Sequence, residues 1–200
     1  MKKGFIRVRR LRPTVQDAEA FLVGRPHAVW KTDYVTASER VTRIDALRSR
    51  LKLLIKEHLP ARLQLDFVIL KGHLLVEFTL TEYIGLRSHY EYDVSTERLS
   101  FVQKMAVAHM LGFPLDPLIM PSLELLNRLR NQVAHGLDFD RGQVDKLLRF
   151  FAEDPDERPT HTDQSRVREM RRAVEHLVWA MLGVIEGQHV AAYEAVEHGA

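Results

Sequence analysis

A guanidinium, an amide and an imidazole are gathered on the segment 125–136, which reads LLNRLRNQVAHG. Leu126, Leu129, Val133 and Leu137 recur at helical spacing and mark an apolar face. Asn131 and His135, four residues apart, then stand side by side on the opposite face, with Arg128 three residues from Asn131. An imidazole moves protons at cellular pH, and a guanidinium grips two oxygens of an oxyanion at once. The patch therefore pairs a proton carrier with an anion clamp. Arg130 stands apart from it, because five steps of about 100° put it about 140° from His135, close to the apolar stripe. An arginine there must snorkel or reach a buried acceptor, since an unpaired charge in a core is costly. Glu77, on a long apolar stretch upstream, is the candidate acceptor.

The elements that must position this segment are helical. Residues 14–23 read as a short helix with Thr14 as N-cap, and 25–36 as a loop. A stronger helix spans 38–59, where Val41, Ile44, Leu47, Leu51, Leu54 and Ile55 form one stripe and Pro60 closes it. Over 61–84 two patterns compete. Leu63, Leu65, Phe67 and Ile69 alternate like a strand, while Leu63, Phe67, Leu70, Leu74 and Phe78 fit a helix; the helical pattern covers more of the segment, and alternation breaks at Val68 and Leu75. One long, largely buried helix is the expectation, ending at Gly85. Ser95 is read as opening the next helix, with Leu99, Val102, Met105 or Ala106 and His109 inward and Gly112 as its stop. A loop with Pro114, Pro117 and Pro121 leads to a helix over 122–135 ended by Gly136. Helices over 142–152 and 160–186 follow, separated by an acidic loop, and 188–198 either continue the last helix or fray from it. The expected fold is all-α, a compact bundle of six or seven helices. Its divisions are a basic arm and short helix at 1–35, the bundle at 36–187 and a C-terminal tail at 188–200.

With the elements in place, the string LRNQVAHG resembles the HEPN superfamily. Its mark is an Arg, a polar residue and, four to six residues on, a His near the end of a helix in an all-α bundle. Here Arg130, Asn131 and His135 match it, in the "LRNxxAHG" form of bacterial members similar to mannitol operon repressors. The similarity extends upstream through KGHLLVEFTLTEYI (71–84) and LSFVQKMAVAHMLGF (99–113), so over residues 60–152 and on toward 187, while 1–58 carry no specific likeness. The resemblance implies an endoribonuclease of toxin or defence type that needs no metal or other cofactor. In it His135 is general acid or base on the attacking 2′-hydroxyl or the leaving oxygen, Arg130 stabilises charge on the phosphate, Asn131 orients the site and Arg128 assists backbone binding. It also implies a homodimer, whose two-fold axis would bring divergent Arg130 and His135 groups into one cleft, and an antitoxin or regulatory protein as partner. The alternative is a non-catalytic regulator that uses the same helix to dimerise, with Arg130 bonding a buried Glu, Asn131 a neighbouring helix, and His135 capping terminal carbonyls.

Composition bounds these readings. Two hundred residues, 46% hydrophobic and 28% charged, suit one globular domain and exclude a disordered or collagen-like chain. The absence of cysteine removes disulfides, thiolate metal sites and thiol nucleophiles. No apolar run approaches the roughly 18 residues of a membrane span, and the charged N-terminus lacks an apolar signal stretch; a cytoplasmic protein with no membrane partner is expected. Residues 1–12 hold six Lys and Arg and no acid, against a net charge of +2 for the whole chain. That arm is either a solvated terminus or a salt-sensitive contact for nucleic acid. No GxGxxG, GxxxxGKS or GxSxG string occurs, and His58, His73 and His89 lack metal-ligand pairing. His109 reads as a satisfied core histidine. His176, Glu169 and Glu175 read as a solvated face. Trp30, Trp179, Phe150 and Phe151 read as packing anchors, and Tyr83, Tyr90 and Tyr92 as loop-side aromatics within reach of RNA bases.

Overall fold

The computed structural model describes residues 37–87, 96–136, 139–152 and 162–197, with side chains given from position 41 to position 188. Six α-helices and one 3-10 turn make up these segments, and no strand occurs among the described residues. They are α1 Ala37–His58, α2 Leu65–Arg87, the turn Thr96–Arg98, α3 Phe101–Met110, α4 Ile119–His135, α5 Arg141–Arg149 and α6 Asp163–Glu197. The chain is all-α. The basic arm, the short helix expected over 14–23, Trp30, His89, Tyr90, Tyr92 and the acidic loop at 153–161 lie outside the described residues.

α2 is a helix and not a hairpin, but the face expected to be buried is the wrong one. Val68, Ile69, Leu75, Val76, Leu80, Tyr83 and Ile84 lie inside, whereas Phe67 and Leu74 are 48% and 61% exposed. When apolar residues surround a helix, its period cannot choose an inward side. Gly85 does not end the helix, which continues to Arg87. α6, α4, α3 and α1 all pack on α2. α6 comes close at Gly72, where an added Cβ would lie 2.6 Å from Val174 Cγ2.

α3 opens at Ser100 and not Ser95. The Ser100 hydroxyl accepts from Gln103 N, and Gln103 Oε1 accepts in return from Ser100 N, a reciprocal cap that satisfies two orphan donors. Its inward face is Phe101, Lys104, Met105 and Ala108. Val102 and His109 therefore point outward, and His109 is no core histidine: its Nδ1 lies 3.0 Å from Phe113 O. The helix ends as expected at Gly112, whose φ of 96° suits glycine. Phe113 N donates to Ala108 O and Gly112 N to His109 O, which closes the last turn.

α4 starts three residues before the expected 122. Pro121 falls in its first turn, where a missing N–H costs nothing, and Asp116 Oδ1 accepts from Leu118 N and Ile119 N. α5 is capped by Asp140, whose Oδ1 accepts from Gly142 N. α6 runs on through 188–197, residues assigned above to a tail. Arg166 grips Asp145 with two bonds of 2.8 and 2.9 Å, and this fork locks α5 onto α6.

Contacts fix the helix directions. Glu77 meets Lys104 and Tyr83 meets Leu111, so α3 runs with α2; Tyr83 also meets Gln188, so α6 runs the same way. α4 begins eight residues after Leu111, which meets Tyr83 and Arg87 at the end of α2, and its Asn127 meets His73 farther back, so α4 runs toward the start of α2. The α1–α2 turn, the end of α4, and the starts of α5 and α6 consequently share one end of the bundle.

Two glycine substitutions should separate packing from helix propensity. Gly72→Ala forces a methyl onto the buried Val174 and should lower stability by roughly 1–3 kcal/mol. Gly85→Ala meets nothing within 4 Å and should raise it by about 1 kcal/mol. Urea denaturation followed by circular dichroism reads both, and equal effects would contradict the packing described.

Candidate functional site

The site is built on α4. Leu126 and Leu129 are fully buried and Val133 packs partly buried against the core, while Leu137 lies outside the described residues. With the inward face so committed, Arg128, Asn131 and His135 are exposed. His135 is the last helical residue, followed by Gly136, whose N–H donates to Gln132 O at 2.8 Å. It lines a shallow, open depression of about 520 Å³ together with Gln132, Gly136, Phe139 and Asp140. One wall is held by the Asp140 N–H, which donates to Gln132 Oε1 at 3.3 Å.

Arg130 Nη1 donates to Asn131 Oδ1 at 2.9 Å, so the guanidinium bends toward the amide on the exposed face. Among the described residues no hydrogen bond joins either group to His135. Arg128 forms a surface pair with Glu124 on its own helix at 3.7 Å. The structure thus brings Arg130 and Asn131 together, leaves the His135 imidazole at the helix end with no hydrogen-bond partner among the described residues, and sets Arg128 on the solvent side between turns. In one copy the guanidinium of Arg130 and the imidazole of His135 leave α4 about 140° apart.

Glu77 is not the acceptor of Arg130. It accepts from Lys104 Nζ at 2.7 Å, and the Lys104 side chain is only 9% exposed. Beside this pair lies His73, 2% exposed and tilted against Phe101 at 4.4 Å between ring centres. Its Nε2 is 3.2 Å from Asn127 Oδ1, so the ring proton sits on Nε2 and donates to the amide. Nδ1 is then a buried lone pair without a hydrogen-bond partner, 3.8 Å from Glu77 Oε2. Burial holds this imidazole below its ordinary 6.5 against the pull of Glu77 and the bond to Asn127, and the charges of Arg130 and Lys104 act in the same direction as burial. This polar cluster beneath the RN pair was not expected from the sequence. The spacing of His73 and Glu77, four apart on an apolar helix, was its one available signal.

Of the other expected candidates, Tyr83 is buried, its hydroxyl donating within reach of Leu111 O and Gln188 Oε1, and is no loop-side platform. Phe150, Phe151 and Trp179 pack partly buried against the core. Among the described residues no three His, Asp or Glu side chains converge as a metal site, and no helix is long and apolar enough to cross a membrane. Compared with protein-family models, curated proteins and solved structures, the chain matches none.

The buried imidazole has a pH signature. Because its value is lowered on folding, the unfolded chain takes up the proton first; stability is flat above the unfolded value of 6.5 and falls as pH drops below it. His73→Gln, which keeps an amide partner for Asn127 but cannot titrate, should lose less stability than wild type between neutral pH and pH values just below 6.5. Thermal melts at matched ionic strength check this, and parallel curves would show that His73 does not carry the dependence.

Proposed function

We propose that this chain is a HEPN-like endoribonuclease of toxin or defence type, acting as a two-fold dimer and needing no metal. The observation that carries the reading is the position of His135: a solvent-open imidazole at a helix end, lining a depression, with Asn131 one turn before it and Arg130 bonded to Asn131. None of these groups is locked in the core.

In the proposed reaction the substrate's 2′-hydroxyl attacks the adjacent phosphorus. An O2′–P bond forms as the P–O5′ bond breaks, giving a cyclic phosphate and a 5′-hydroxyl with no co-reactant. His135 takes the 2′-hydroxyl proton, and the imidazolium or water returns one to the leaving oxygen. Arg130 balances charge on the non-bridging oxygens, Asn131 holds the guanidinium toward the exposed face, and Arg128 meets the backbone. Since Arg130 and His135 diverge on one helix, each site takes its imidazole from one copy and its guanidinium from the other. A second reading, a helical regulator dimerising through α4, is favoured by the Arg130–Asn131 and His73–Asn127 bonds, which also serve structure.

Cleavage of labelled RNA in EDTA distinguishes them. His135→Ala and Arg130→Ala should each cut at least about 100-fold more slowly with unchanged circular dichroism. Mixed after subunit exchange, the two inactive variants should recover about a quarter of wild-type activity, because half the dimers then hold one intact composite site. No cutting by wild type, or wild-type rates in His135→Ala, would leave the regulator. Absence of recovery in demonstrated mixed dimers would remove the composite site.

A further inference from the structure

A second concavity of about 670 Å³ opens between the α1–α2 turn and the first turns of α6, and its lining among the described residues contains Arg62, Arg168 and Arg171 but no carboxylate. The three guanidiniums are weakly engaged. Arg168 and Arg171 stand 3.8 and 3.7 Å from Glu169 and Glu175, beyond hydrogen-bond distance. Arg171 Nε is buried without a hydrogen-bond partner, and Arg62 has no ion pair among the described residues. A buried donor with no acceptor is costly, and an arginine fork takes two oxygens of a phosphate, as it does of a carboxylate, in one bidentate contact.

This groove lies at the same end of the bundle as His135. Arg141 joins the two: it follows Asp140 of the His135 depression, and its Nε donates at 3.1 Å to Asp163, which follows Thr162 of the groove. The bond to Arg141 holds the Asp163 carboxyl below the usual carboxylate range, so that acid stays paired and charged. A strand seated at His135 therefore has one neutralised pair to pass before it meets three cations. Leu63, Val68 and Val167 supply an apolar floor beside them.

We infer that the groove formed by Arg62, Arg168 and Arg171 is a phosphate-binding subsite for single-stranded RNA, holding the backbone a short distance from the point of cleavage. The inference rests on RNA being the substrate, but it concerns binding and is tested apart from catalysis. Full-length His135→Ala protein, used so that the probe stays intact, is titrated into a fluorescent single-stranded oligoribonucleotide, and anisotropy is read over a range of salt. Arg62→Ala, in an exposed turn, and the double variant Arg168→Ala/Arg171→Ala are compared with Lys52→Ala, an exposed cation on α1. Each groove arginine removed should weaken binding by roughly tenfold and reduce the slope of log Kd against log salt by about one, while Lys52→Ala changes neither. Unchanged affinity and slope in Arg62→Ala and in the folded double variant, or no binding by the parent protein, would overturn the subsite. Binding that depends on the groove in a wild-type protein that cuts nothing would keep the subsite and remove the nuclease. Cutting that depends on His135 with groove variants at full affinity would do the reverse.

Discussion

α2 carries apolar side chains around nearly its whole circumference, and such a helix is stable in water only when neighbours cover it on most sides. α6, α4, α3 and α1 provide that cover, and Gly72 lets α6 close to the distance at which Val174 fills the space of a side chain. The rest of the architecture follows from this demand. With α3 and α6 running along α2 and α4 running against it, the connecting turns are forced to the ends of the bundle, and polar residues collect there.

A core so apolar makes each polar group within it consequential. His73, Glu77, Lys104 and Asn127 gather across three helices, with distances of 2.7 Å for Lys104 to Glu77 and 3.2 Å for His73 to Asn127, while His73 Nδ1 keeps no hydrogen-bond partner. Such contacts contribute little net stability once desolvation is counted, yet each sits only at one axial position, so they set the register of α3 and α4 on α2. That register turns Leu126 and Leu129 inward, Asn127 toward α2, and Asn131 and His135 to water. The outer face of α4 thus carries only surface contacts, Arg130 to Asn131 and Arg128 to Glu124, and leaves His135 exposed at its end.

Charge at the His135 end is partitioned rather than uniform. Asp145 and Asp163 are taken up by Arg166 and Arg141 in short bonds that clamp α5 to α6, and the Arg166 guanidinium is held above its ordinary value chiefly by Asp145. The acids available to Arg168 and Arg171 stay at ion-pair distance only. Two concavities result on either side of the Arg141–Asp163 pair, one with an imidazole and one with three guanidiniums.

The helices, the caps at Gly112 and Gly136, and the exposure of Asn131 and His135 are legible in the sequence, because stop residues and one clean apolar stripe on α4 act over a few residues of chain. The outward side of α2 is not legible, since Phe67 and Leu74 look as buriable as Val68 and Leu75 until neighbours are placed. The cap of α3 is legible, although the expectation fell on Ser95: Ser100 is followed three residues on by Gln103, the capping-box spacing, whereas Ser95 is followed by Arg98. The cluster of His73, Glu77, Lys104 and Asn127 joins residues 27 and 54 positions apart, and the arginine groove joins the α1–α2 turn to α6 across a still longer separation. Local spacing determines which side of a helix meets a core; only the stacking of helices decides which distant side chains meet each other, because that depends on how much apolar surface each arrangement removes from water.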